Sequence, residues 1–173
     1  MKSEHAYLPR VTSILKDAGL VDTRWFTEYA REKGTQTHRA AQFIDRGGVN
    51  WATMDPGVFP RAVQYQRFLD EVNPMIHAIE RPVVNVVMGY RGTLDRIVAI
   101  NGRMGVLDIK GPGRFIWHPI QLSLYQHALT SMFPCRWTLH LSDKDYRLVE
   151  HRGRHDWEVA KAAITIANFI NHA

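Results

Sequence analysis

The chain is 173 residues long, 45% hydrophobic, with a formal charge of +5 and a pI of about 9.6. Its length suits one domain with a full core, and its apolar content excludes a largely disordered chain. No apolar run approaches the roughly 20 residues of a membrane span, and the single cysteine, Cys135, excludes an internal disulfide or an all-cysteine metal site.

The first ten residues hold Lys2, Glu4, His5 and Arg10 and have no apolar signal core, so export is not expected and a cytoplasmic setting fits. The basic balance suits a polyanionic partner such as nucleic acid. Leu8 to Gly19 predicts a short helix capped by Thr12 or Ser13 and ended by Gly19. Asp22 is a good N-cap for a second helix through Lys33, with Gly34 as its stop. Thr35 caps a third, ending at Arg46-Gly47-Gly48, and a polar loop follows from Val49 to Pro60. Arg61 to Asn73 is helical in pattern.

From Pro82 the pattern turns to strand: Pro82–Met88, then Tyr90–Ile100 and Arg103–Lys110. Gly111-Pro112-Gly113 breaks the run. Pro119 opens a helix to about Ser131. Trp137–Leu141 and Tyr146–His151 are two further strands around a polar turn, Ser142 to Asp145. Asp156 caps a last helix with Val159, Ala163, Ile166, Ala167 and Ile170 on one side. No repeat or linker divides the chain. It reads as one domain over 1–173, with a helical part over 1–75, a sheet core over 80–151 and a C-terminal helix over 156–173. The expected class is α/β, a mixed central β-sheet flanked by helices.

The chemistry centres on the Asn101-Gly102 turn between two apolar strands, a strong hairpin signal. If the loop is those two residues alone, Ile100 faces Arg103 and Asp95 faces Asp108. Facing carboxylates repel unless a cation lies between them, and alternation puts Lys110 on the Asp108 face. Two acids and a lysine on one sheet face suit a divalent-metal hydrolytic site. The competing reading is ordinary ion pairing with Arg96, Arg103 or Lys110. Gln121 and Tyr125, four apart on the Pro119 helix, share a face; a packed tyrosine beside a solvated glutamine explains them equally. His38 is one of nine histidines and, taken alone, reads as structural.

Taken in order, Gly34-x-x-x-His38, Gly92-Thr-Leu-Asp95, Asp108-Ile-Lys110 and Gln121-x-x-x-Tyr125 resemble the RecB-like branch of the PD-(D/E)xK nuclease superfamily, closest in style to its phage and prophage exonuclease-like members. The resemblance spans about Gly34 to Leu129, and Pro9-x-Val-Thr-x-Ile-Leu15 resembles the same members. It implies a restriction-endonuclease-like core. It implies Mg²⁺ or Mn²⁺ held by Asp95, Asp108, His38 and the Ile109 carbonyl, with Lys110 positioning or activating water. Gln121 and Tyr125 would lie beside the site, contacting DNA or bracing Lys110. Glu80, just before the expected first strand, often has an acidic counterpart in related sequences, though a solvated strand-end carboxylate explains it as well. Relatives with a four-cysteine iron–sulfur cluster are excluded by the single cysteine, and no Gly-x-x-x-x-Gly-Lys-Ser/Thr run marks an ATPase.

Candidate DNA contacts are Arg91, Arg96, Arg114, Trp117 and His118; aromatic packing under the Gly-Pro-Gly loop, and local balancing of acids by Arg91 and Arg96, compete with that role. The implied activity is metal-dependent hydrolysis of DNA, as an exonuclease acting on ends in phage replication, recombination or repair. DNA is the implied partner, with a recombination or annealing protein as a further one. A restriction-like or structure-specific endonuclease and a non-catalytic DNA-binding accessory module stay open, as does the oligomeric state.

Overall fold

The computed structural model describes residues 7–22, 27–129 and 133–172. Five strands form one sheet in the order β1-β2-β3-β4-β5: β1 Met75–Asn85, β2 Tyr90–Ile100, β3 Arg103–Lys110, β4 Cys135–Leu141 and β5 Tyr146–Glu150. Neighbours run antiparallel except β3 and β4, which are parallel and joined through a helix, α4 (His118–Ala128). A parallel pair needs such a crossover, because a two-residue turn can only reverse direction. The α/β architecture with a mixed central sheet expected from the sequence is the one observed.

Helices cover both faces. On one, α1 (Val11–Asp17), α4 and α5 (Asp156–His172) pack Val11, Ile14, Leu124, Ala160 and Ala163 against Leu94, Ile97 and Val106. On the other, α2 (Glu28–Asp45) and α3 (Phe59–Val72) pack Ala41, Ile44, Tyr65 and Phe68 against Val98, Leu107, Ile109 and Leu139. Fully burying one such aliphatic or aromatic side chain contributes about 1.5–3 kcal/mol. No helix among the described residues is long and apolar enough to cross a membrane.

Four local expectations are corrected. Thr12 and Ser13 lie inside α1, whose N-cap is Arg10, without a side-chain cap. The expected second and third helices are one, α2, capped by Thr27 Oγ1 accepting from Ala30 N at 3.1 Å. Asp22 therefore does not cap it, and residues 23–26 lie outside the described ones. Gly34 stops nothing and Thr35 donates back to the Arg31 carbonyl, because Thr37, Ala40, Ala41 and Ile44 make one continuous buried stripe that outweighs the roughly 1 kcal/mol cost of a helical glycine. β1 begins at Met75, two residues after Asn73 ends α3 in the left-handed conformation. Pro82 is tolerated within it because β1 is an edge strand, and a bulge interrupts its pairing between Ile76 and Ala78. In α5 the buried residues are Ala160, Ala163, Ile164 and Ala167, while Val159, Ile166 and Ile170 are exposed. The alanines let α5 approach closely, which turns the larger residues outward. The predicted end of α4 near Ser131 lies outside the described residues.

Candidate metal centre

Asn101 and Gly102 both have positive φ, 50° and 74°, the signature of a type I′ turn. The β2–β3 ladder runs from Ile100 opposite Arg103 to Arg96 opposite Leu107, with Gly105 in register and no bulge. The next positions are Asp95 and Asp108. There the strands exchange a different bond: Ile109 N–H donates to Asp95 Oδ2 at 2.7 Å. Lys110 Nζ lies 2.6 Å from Asp108 Oδ2, as an ion pair without the alignment of a directed hydrogen bond. From α2, His38 Nδ1 comes within 3.3 Å of Asp95 Oδ2.

Both carboxylates are buried, yet their environments push them apart. Burial raises Asp108, to about 6, and the neighbouring Asp95 charge adds to it; Lys110 opposes both. Burial also opposes ionisation of Asp95, but His38, Lys110 and the Ile109 N–H together hold its pKa below the usual range. Burial likewise works against the charge on His38, and attraction to Asp95 overcomes it, so its pKa is raised. The two acids are thus driven in opposite directions by their surroundings.

Glu80 belongs here too. It lies inside β1 at φ 48°, a left-handed backbone that non-glycine residues rarely adopt. Its carboxylate, together with His38 and Asp95, forms a trio whose ligand atoms lie within 4.8 Å of one another. Asp108, held by Lys110, stands outside that trio. The resemblance singles out an acid at Glu80, but its place where β1 passes Asp95 is hidden in the sequence, because the strand is expected to start at Pro82.

The α4 pair also converges on the site. Gln121 Nε2 donates to Tyr125 OH at 3.3 Å, and both side chains are buried. Burial, then the charges of Asp108 and Asp95, raise the Tyr125 pKa, so its phenol stays protonated. Gln121 Oε1 is buried without a hydrogen-bond partner. The Tyr125 ring lies over Gly92: a Cβ there would sit 2.7 Å from Tyr125 Cε1. The glycine of Gly92-Thr-Leu-Asp95 thus makes room for the tyrosine.

The candidate DNA contacts divide. Arg114 is exposed. Arg91 donates through Nε to the Leu8 carbonyl at 3.0 Å and lines a groove of about 590 Å³ with Arg10, Thr12, Val83 and Tyr125. Trp117 is half-buried, its ring 5.0 Å from the Lys110 ammonium and stacked on Phe115. Arg96 and His118 are corrected. Arg96 is fully buried and paired with Asp45 at 2.6 Å, and His118 is 2% exposed beneath Trp117 and beside His140. Neither can reach a polymer in solvent.

The trio of His38, Glu80 and Asp95, an imidazole with two carboxylates, is a donor set of the kind a hard divalent cation takes; outside it, one Asp108 oxygen is buried without a directed hydrogen bond. His38 and Glu80 are about a third exposed, which leaves the cluster open on one side. No family model and no curated protein matches the chain. A solved structure described as "Crystal structure of SSO0001" is similar over 92% of this chain and 84% of that one, at 13% identity and a TM-score of 0.42.

Proposed function

We propose that this chain is a Mg²⁺- or Mn²⁺-dependent deoxyribonuclease with a restriction-endonuclease-like core, acting on DNA ends as an exonuclease. The observation that carries the proposal is the meeting of His38, Asp95, Asp108 and Lys110 from three separate elements at one open, charged cluster. That set is the one the resemblance requires, and the Gln121–Tyr125 pair beside it supports the same reading. The basic composition fits a polyanionic substrate.

His38, Asp95 and Asp108 would hold the cation, with Glu80 as a further carboxylate and the Ile109 carbonyl as a backbone donor. When bound, the cation supplies charge stabilisation at the phosphate and a lowered pKa for bound water. Lys110 lies 2.6 Å from Asp108 and would position water for attack on phosphorus; as the water oxygen bonds to phosphorus it gives up a proton to solvent, and the bond to the leaving sugar oxygen breaks, that oxygen taking a proton from solvent. The Ile109 N–H fixes the Asp95 carboxylate in one orientation. Trp117, against the Lys110 ammonium, limits where that side chain swings.

Digestion of end-labelled linear DNA and closed circular DNA with Mn²⁺ tests the proposal. Linear DNA shortens from its ends and the circle survives. Asp108→Ala and Lys110→Ala stay folded but lose at least about 100-fold in rate. A circle cut as fast as the linear form makes the enzyme an endonuclease. Full activity in either folded variant overturns the mechanism, and Mn²⁺-dependent DNA binding without cleavage makes the chain an accessory module.

A further inference from the structure

Asp45 and Arg96 form an ion pair at 2.6 Å between side chains that are both wholly buried. Tyr65, from α3, donates to the other Asp45 oxygen at 2.6 Å. Arg96 Nη1 continues the chain, donating to the Asp95 carbonyl at 2.7 Å and reaching Glu80 Oε1 at 3.3 Å. One guanidinium therefore touches the backbone of one proposed ligand and the carboxylate of another.

The spacing on α2 gives this network its meaning. His38 and Asp45 are seven residues apart on one helix. Two helical turns bring them to within about 20° of the same line, about 10.5 Å apart along the axis. Their partners, Asp95 and Arg96, are consecutive on β2. The long arginine side chain spans the remaining distance. So α2 meets β2 at two rungs, His38 with Asp95 and Asp45 with Arg96.

Stability alone gives little reason for the lower rung. Apolar residues of similar volume often replace a buried ion pair at no loss, and Arg96 Nη2 is buried without an acceptor. Glu80, which Arg96 holds, keeps a strained backbone. A costly polar knot tied to strained and proposed metal-binding residues fits a role in setting geometry.

We propose that the buried Asp45–Arg96 pair, braced by Tyr65, is a positioning device that sets α2 against β2 so that His38 meets Asp95 and Glu80. This rests on the metal reading above. Asp45 and Tyr65 lie outside every motif of the family resemblance, and both act through Arg96 rather than on substrate.

The test is Mn²⁺ titration by calorimetry on wild type, His38→Ala, Asp45→Asn and the double variant, with thermal unfolding in EDTA alongside. Asp45→Asn weakens Mn²⁺ binding by about 10-fold or more, but by less than about 2-fold in the His38→Ala background, where there is no imidazole left to misplace. Its melting loss is the same in both backgrounds. A purely structural residue would weaken Mn²⁺ binding equally with and without His38, and that result overturns the positioning role alone. A wild-type protein that takes up no Mn²⁺ overturns the metal reading and this inference together. If Asp45→Asn does not fold, Tyr65→Phe removes only the phenol's bond to Asp45; the inference requires a smaller loss with the same dependence on His38, and a loss independent of His38 overturns it.

Discussion

Gly92→Ala puts a methyl group where the Tyr125 ring already lies. The added carbon would sit 2.7 Å from Tyr125 Cε1 and 3.2 Å from Val11 Cγ2, so the ring must retreat by roughly 0.7 Å to reach ordinary contact. Retreat is difficult: Tyr125 is 5% exposed and Val11 is fully buried, and the phenol is tied to Gln121. Overpacking of this kind costs about 1–3 kcal/mol. Alanine in place of glycine also stiffens the unfolded chain, which returns about 0.4–1 kcal/mol. The balance is a loss of about 1–2 kcal/mol, or a fall in melting temperature of roughly 2–8 °C for a chain this long. Thermal unfolding followed by circular dichroism in EDTA reads that loss. In a Tyr125→Leu background the same substitution has no ring to displace, and its cost falls by at least half. A Gly92→Ala protein that melts within a degree of wild type refutes the argument. So does an equal loss in both backgrounds, which would place the requirement for glycine in the backbone.

Gly34 differs, because a Cβ there meets nothing within 4 Å. Gly34→Ala should stabilise α2 by about 0.5–1 kcal/mol and raise the melting temperature; a lower one counts against an unstrained helical glycine. Arg10 and Arg91 line a groove that Tyr125 also lines. Alanine at either should weaken DNA binding alike for all sequences and reduce the salt slope by about 1, measured by fluorescence anisotropy across a salt series; an unchanged slope removes them from the interface. His118 is held neutral: burial, then Lys110, lowers its pKa to about 3. Its contribution is fully present above the ordinary histidine value and is lost as pH falls toward about 3, on the order of a few kcal/mol across the range. His118→Gln should therefore gain on wild type in metal-free melting between about pH 7 and about pH 4.5, and a constant difference over that window sinks the assignment.

Local rules made the hairpin legible. Asn101-Gly102 dictates a two-residue turn, and two flanking strands of clear pattern then follow with their register. The Pro119 helix and the Ser142–Asp145 turn follow from equally local signals. What escaped depends on contacts distant in sequence. Gly34 is tolerated within α2 because residues far along the chain bury that helix's stripe. Arg96 looked like a surface cation until Asp45, 51 residues earlier, was found opposite it. Glu80 was undervalued because a solvated carboxylate just ahead of a strand starting at Pro82 explained it as well, whereas β1 runs through it from Met75 and, as an edge strand, accepts the proline. The α5 face was misjudged because two apolar stripes run along that helix, and only the helices beneath it select the alanine one.

The two ends of the sheet share a property that bears on how the protein behaves at high concentration. β1 lacks the Pro82 N–H and carries a bulge near its start, and β5 is only five residues long, its end charged by Glu150 between Arg103 and Arg152. A bare strand edge is a template for another chain's backbone, and proline, bulges, short length and charge each blunt it. Both edges of this sheet are blunted. Growth by strand addition is disfavoured on either side, so the described part of the chain is guarded against edge-to-edge aggregation by the same proline that hid β1 in the sequence.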